Sequence, residues 1–176
     1  METTAYLSLG SNLGNRELHL ADAISRLSQC GRVLSVSSMY ETEPVDFTEQ
    51  PWFVNCALVL ATSHQPEQLL TKMLGIEKDM GRERTDAKGP RIIDLDLLLY
   101  GDVILNYASL TIPHPAMHLR RFVLAPLAEI APQAQHPVLR KTVLELLEDL
   151  PKGQIVRKIE KANDQGPATK GGFKAE

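Results

Sequence analysis

Between Ala5 and Tyr100 the spacing of apolar residues switches repeatedly between every second residue and every third or fourth. This restricts the chain to a sheet with helices laid on it. Ala5 to Leu9 alternates as a strand, the turn-rich stretch Gly10 to Asn15 follows, and Leu20, Ala23, Ile24 and Leu27 recur at helical spacing. Val33 to Tyr40, rich in Val and Ser, predicts an extended run, and Glu41 to Pro51, with two prolines and no apolar period, predicts a loop. Trp52 to Ala61 predicts a further strand. Pro66 suits the first turn of a helix that carries Leu69, Leu70, Met73, Leu74, Glu77 and Met80 on one side and stops at Gly81. Arg91 to Tyr100 predicts a strand, Gly101-Asp102 a tight turn, and Val103 to Leu105 its returning partner. Phe122 to Ile130 and Thr142 to Leu150 predict two closing helices. The order β, α, β, β, α, β, β, then helices, predicts an α+β sandwich of ferredoxin-like type, a mainly antiparallel sheet with helices packed on it.

The chain has 176 residues, enough for one domain, which we expect over residues 1–158. From Lys152 the apolar period fades, and Asn163 to Glu176 is mostly Gly, Lys and Ala, so residues 159–176 are expected to form a flexible tail. With 19 Lys and Arg against 22 Asp and Glu, the net charge is −3, which disfavours binding along a nucleic-acid backbone. An RNA-binding sheet would also need stacking aromatics on its central strands and a basic face. Cys30 and Cys56 stand apart, with no His or Cys at zinc-ligand spacing, and read as buried free thiols. The N-terminal METTAYLSLG has no basic region before a long apolar run, and no stretch reaches the roughly 18 apolar residues of a membrane helix. A cytoplasmic protein is expected.

The segment Arg91-Ile-Ile-Asp94-Leu-Asp96-Leu-Leu-Leu-Tyr100 carries the chemistry. On a strand Asp94 and Asp96 share one face about 6.6 to 7 Å apart. At an effective dielectric of about 20 their charges repel by about 2 kcal/mol, which a protonation or an intervening cation relieves. Magnesium suits such a pair, because it takes few carboxylates and fills its other positions with water and phosphate oxygens. The bland alternative is two aspartates on the wet side of a strand, and both readings stand on spacing alone. Arg82, Arg84, Lys88 and Arg91 precede the pair, either as a solvated loop or as a clamp on phosphate oxygens, for which the guanidinium fork is well shaped. His114, between Pro113 and Pro115, and Arg120 are candidate donors to phosphate in a catalysis that is chiefly electrostatic. Phe53 and Asn55 alternate onto one face of their strand, where a ring and an amide could meet one flat polar ligand. Gly10-Ser-Asn-Leu-Gly lacks the Lys-Ser/Thr ending of a P-loop and reads as a structural turn.

These residues coincide with a known pattern. The chain resembles the hydroxymethyl-dihydropterin pyrophosphokinase family through Tyr6-Leu-Ser-Leu-Gly-Ser-Asn-Leu-Gly, Glu41-Thr-Glu-Pro, Gln50-Pro-Trp-Phe-Val-Asn55, Gly89-Pro-Arg-Ile-Ile-Asp-Leu-Asp96 and Ile112-Pro-His-Pro. The resemblance implies transfer of the diphosphate of ATP onto the hydroxymethyl group of 6-hydroxymethyl-7,8-dihydropterin, with release of AMP, in folate biosynthesis. It implies a catalytic set of Arg82, Arg91, Asp94, Asp96, His114 and Arg120, with Asp94 and Asp96 holding two Mg²⁺ ions. ATP would meet Glu77, Arg82, Arg84, Arg91, His114 and Arg120, with Leu70, Leu97 and Thr111 near its base and ribose. The pterin would lie between Phe53 and Phe122, read by Asn55, Asp94 and the backbone around Thr42, Pro44 and Val45. The loops Glu43 to Trp52 and Arg82 to Pro90 would act as lids. A monomeric catalytic domain that takes only small-molecule substrates is expected, and the helix from Thr142 and the tail carry no catalytic role.

Overall fold

The structure, a computed structural model, describes residues 1–44, 49–82 and 90–160. Five strands form the path β5 (Asp94–Tyr100), β1 (Thr3–Ser11), β4 (Phe53–Thr62), β3 (Tyr40–Thr42), β8 (Val156–Lys158), and β2 (Arg32–Val36) joins the far half of β4. Every pairing is antiparallel. With α1 (Arg16–Leu27) after β1 and α2 (Pro66–Asp79) after β4, the connectivity is the ferredoxin-like one expected from the apolar periods.

The sheet is covered on both faces. Ala5, Leu7 and Leu9 of β1, Val54, Cys56, Leu58 and Leu60 of β4, and Leu95 and Leu97 of β5 meet Leu20, Ala23 and Leu27 of α1 and Leu69 and Met73 of α2. Each fully buried Leu among them contributes roughly 1.5–3 kcal/mol. The opposite face buries Ala57, Leu98 and Leu99 beneath Val123, Leu124 and Leu127 of α3 (Arg121–Ile130) and Val143 and Leu146 of α4 (Val143–Asp149). Helices α3 and α4 cover only part of that face, and the uncovered end is where the polar residues gather.

A bulge in β5 sets where the covered part begins. Leu7 pairs with Leu97 and Tyr6 with Leu99, so Leu98 is the extra residue, and both Leu98 and Leu99 turn toward α3 and α4. Before the bulge, alternation keeps Asp94 and Asp96 on that same face while Leu95 and Leu97 enter the α1–α2 core.

Several expected boundaries differ. The run Val33 to Tyr40 divides into β2 and β3, because the Ser37 hydroxyl accepts the Ala57 N–H at 2.8 Å and stands in for a ladder carbonyl. Glu41 and Thr42 belong to β3, not to the expected loop. The strand expected from Arg91 begins at Asp94. The expected hairpin partner Val103 to Leu105 does not return along β5: Gly101 turns with φ +51° and donates to the Thr4 carbonyl, and the chain leaves the sheet. Leu105–Asn106 (β6) pairs instead with Thr111–Ile112 (β7) in a separate two-stranded ribbon. Strand β8 was not legible, since its three residues owe their extension to β3. Residues 161–176 of the expected tail lie outside the described residues, and the Ile159 N–H still donates to the Met39 carbonyl. Cys30 and Cys56 are buried free thiols, and burial pushes the Cys56 thiol up to about 12. Among the described residues no helix is long and apolar enough to cross a membrane.

Candidate active site

Asp94 occupies the first position of β5, with one guanidinium on each carboxylate oxygen. Arg82 donates to Oδ1 at 2.8 Å and Arg91 to Oδ2 at 2.9 Å. Arg82 arrives because α2 stops at Gly81, whose φ of +92° turns the chain back so that the Arg82 N–H donates to the Glu77 carbonyl. The Arg82 guanidinium also pairs with the carboxylate of Glu77, buried at the end of α2. A chain of alternating charge thus runs Glu77, Arg82, Asp94, Arg91, and a cavity of about 480 Å³ opens beside it, lined by Leu74, Glu77, Lys78 and Arg82.

Among the described residues Asp96 has no comparable partner at bonding distance. Burial first, and then the charge of Asp94, raises its pKa well above the usual carboxylate range, while Arg120, Arg82 and Arg91 oppose the rise. A carboxylate kept reluctant to ionise beside another ionised one is a site at which a cation is stabilised. Among the described residues no group of three or more His, Cys, Asp and Glu could cage a metal. The pair therefore fits a magnesium ion that draws most of its ligands from water and phosphate, and does not fit a closed structural site.

His114 follows a turn anchored to β5 by its own N–H, which donates to the Leu98 carbonyl at 2.9 Å. Its Nδ1 accepts the Ala116 N–H at 3.2 Å, so the ring proton resides on Nε2, which faces Asp96 Oδ1 at 3.9 Å. Burial, then the positive charge of Arg120, pushes His114 down to about 4 against a smaller pull from Asp94. It is a neutral donor at physiological pH. Ring-nitrogen NMR is expected to show the Nε2–H tautomer unchanged between about pH 5 and 8. A midpoint near the ordinary 6.5 would contradict this assignment.

The second half of the site lies across the sheet. Register places Asp94 opposite Gly10 and Gly10 opposite Asn55, on three successive strands. A Cβ on Gly10 would lie 2.5 Å from Asn55 Nδ2 and 3.6 Å from the Phe53 ring, so the glycine leaves a trough floored by backbone. Asn55 is buried and oriented: its Oδ1 accepts from the Thr42 hydroxyl at 2.6 Å, and its Nδ2 donates to the Leu9 carbonyl at 3.3 Å. Pro44 is buried at the end of the same segment. Phe122 enters from the first turn of α3, with the Arg120 guanidinium 5.5 Å from its ring centroid.

The structure thus brings Glu77, Arg82, Arg91, Asp94, Asp96, His114 and Arg120 to one end of the trough, and Phe53, Asn55 and Thr42 to the other. Leu97 is turned into the α1–α2 core with Leu70 packed against it, and Thr111 is half-buried on β7. Arg84 and Val45 lie outside the described residues, as do residues 45–48 of the first expected lid and 83–89 of the second.

Sequence reasoning missed two residues of the turn it treated as structural. Gly10 was readable only from register. Asn12 is buried and links three segments: its Oδ1 accepts from Arg91 N at 2.7 Å, and its Nδ2 donates to Gln50 Oε1 at 2.9 Å and to the Pro51 carbonyl at 3.1 Å.

Fold and site together define a ferredoxin-like sandwich in which, among the described residues, one end of the α3–α4 face is left open, with paired charges at one side of the opening and a ring and an amide at the other. A family model described as 7,8-dihydro-6-hydroxymethylpterin-pyrophosphokinase matches residues 6–132, and the chain belongs to that family. It is 46% identical over 146 residues to the folic acid synthesis protein fol1 of Pneumocystis carinii, covering 82% of this chain and 20% of that longer protein. It is 44% identical over 137 residues to the 2-amino-4-hydroxy-6-hydroxymethyldihydropteridine pyrophosphokinase of Bacillus subtilis, covering 77% of this chain and 82% of that one. A crystal structure of Plasmodium falciparum HPPK-DHPS superposes at TM-score 0.67 with 17% identity, over 84% of this chain and 45% of that one, a likeness of fold. The chain thus spans about a fifth of the fungal relative and most of the bacterial one.

Proposed function

We propose that this chain transfers the diphosphate of ATP to the hydroxymethyl group of 6-hydroxymethyl-7,8-dihydropterin, releasing AMP, as a pyrophosphokinase of folate biosynthesis. The observation that carries the reading is the row Asp94, Gly10, Asn55 across three strands. At about 4.8 Å per strand, the backbones of Asp94 and Asn55 are about 10 Å apart, and Gly10 between them has no side chain, so the Asn55 amide leans over it toward the carboxylate end. That spacing suits a bicyclic ring read at one edge by Asn55 and presenting its hydroxymethyl group toward Asp94 and Asp96.

Asn55 offers a donor and an acceptor to the polar edge of the ring, in an orientation that Thr42 and the Leu9 carbonyl hold in place. Phe53 and Phe122 supply the apolar and stacking walls. Asp94 and Asp96 would hold two Mg²⁺ ions, which neutralise triphosphate oxygens and draw charge from the β-phosphorus when bound. Arg82, already paired with Glu77, and Arg91, whose backbone N–H is held by Asn12, exchange a carboxylate oxygen for phosphate oxygens when the triphosphate arrives. His114 donates its Nε2 proton in a hydrogen bond to phosphate without carrying charge itself, and Arg120 supplies charge from the α3 side. The pterin hydroxyl oxygen forms a bond to the β-phosphorus, the bond to the bridging oxygen breaks, and AMP departs with that oxygen as the hydroxyl proton is lost. Exclusion of water, which would otherwise compete as acceptor, falls to the expected lid segments 43–52 and 82–90, of which residues 45–48 and 83–89 lie outside the described residues.

The test is to incubate the protein with ATP, Mg²⁺ and hydroxymethyl-dihydropterin and resolve the adenine nucleotides. AMP is expected only when the pterin is present. ADP would mean transfer of one phosphoryl group, and ATP left intact would overturn the assignment.

A further inference from the structure

The segment after α4 lies beyond residue 132, where the family match ends, and its sequence suggested no role in the site. We propose that Gln154 is a positioning residue for the pterin pocket, holding the Phe122 wall and the Thr42–Pro44 wall at a set separation. This rests on the pterin reading above.

One side-chain amide joins the two walls. Gln154 Oε1 accepts from the Phe122 N–H at 3.3 Å, and its Nε2 donates to the Glu43 carbonyl at 2.9 Å. Only an amide head presents an acceptor and a donor fixed side by side, so neither Glu nor Leu can make both contacts. The Phe122 N–H is in need of an acceptor for a local reason. Helix α3 is preceded by Arg120, which is extended and offers no capping hydrogen bond from its side chain, so the Phe122 N–H in the first turn has neither an intrahelical partner nor a local cap. Gln154 therefore caps α3 from another part of the chain, at the residue whose ring walls the pocket.

Glu43 is grasped twice more. Its carboxylate accepts from the Ile155 N–H at 2.8 Å, and its N–H donates to the Ile155 carbonyl at 3.2 Å. Strand β8 then continues along β3 with Val156 opposite Thr42, the residue that orients Asn55. One residue further the Arg157 guanidinium lies 5.3 Å from the ring centroid of Trp52, immediately before Phe53. The segment 154–157 is a strap that touches Phe122 directly and the neighbours of Phe53 and Asn55, and among the described residues it touches none of the groups assigned to ATP. Its loss should therefore act on one substrate only.

Steady-state AMP formation is measured for the wild type, Gln154→Leu and Gln154→Glu, varying pterin and ATP separately and recording melting temperatures. Losing the bridging amide is expected to raise the pterin KM about tenfold in both variants, the effect of one hydrogen bond, with the ATP KM within about twofold of wild type. An unchanged pterin KM in Gln154→Leu overturns the positioning role while leaving the reaction intact. A parallel rise of both KM values also overturns it, because that is what general loosening produces. A wild type that forms no pterin-dependent AMP overturns the reaction and the strap together. If Gln154→Leu fails to fold, Gln154→Glu, which keeps an acceptor for the Phe122 N–H and loses the donor to the Glu43 carbonyl, is expected to raise the pterin KM alone, and an unchanged value there would overturn the proposal.

Discussion

Asp96→Ala is expected to lower turnover by about 10³-fold or more while the protein stays folded, because in the proposed reaction it deletes one of the two carboxylates that would hold the cations and neutralise transition-state charge. The stability half of this expectation follows from the sign of the shift. Asp96 has its folded-state pKa raised by burial and by Asp94, so its ionised form is less favourable in the folded protein than in the unfolded chain. Its contribution to stability is present in acid and is lost as pH rises through the raised value. Removing the carboxylate at neutral pH therefore costs the substrate-free fold little, and the melting temperature should hold or rise. Wild-type rates in Asp96→Ala would sink the assignment of the pair, and a collapsed melting temperature would make Asp96 a structural residue.

Gly10→Ala is expected to weaken pterin binding by about 10²-fold while ATP binding persists. The added methyl would lie 2.5 Å from Asn55 Nδ2, closer than any van der Waals contact permits, and one of the two must move. The backbone of Gly10 is paired on both sides, with Asp94 and with Asn55, so the side chain yields more readily than the strand. Moving the Asn55 amide breaks its bonds to Thr42 and Leu9 and leaves a buried polar group misplaced, which costs about 1–3 kcal/mol in stability as well. Pterin titration beside a thermal melt checks both halves, and unaltered pterin affinity would show that the trough over Gly10 is not the ring site.

The architecture was largely legible because apolar period and turn residues are local signals. The periods of Ala5 to Leu9, Leu20 to Leu27, Trp52 to Ala61 and Leu69 to Met80 match β1, α1, β4 and α2 to within a few residues at each end. The misplacements arise where partners far along the chain decide. Ser37 interrupts an apolar-alternating run because its hydroxyl meets Ala57, 20 residues away. Val103 to Leu105 look like a hairpin arm, yet β5 already has β1 as its neighbour, and Leu105 finds Ile112 instead.

For the site, the sequence by itself determined which chemical groups are present and two of their relations: Asp94 and Asp96 share one strand face, as do Phe53 and Asn55. A strand's two-residue period suffices for that. Only the tertiary structure decided that these two faces are the same face, that Gly10 lies between them, and that Arg82 and Arg91 each take one oxygen of Asp94. It also decided that Gln154, 32 residues beyond Phe122, caps the helix that carries that ring. The reason is physical: periodicity orients a side chain relative to its own strand, whereas register between strands, and the burial that raises Asp96 and lowers His114, exist only once distant segments have packed together.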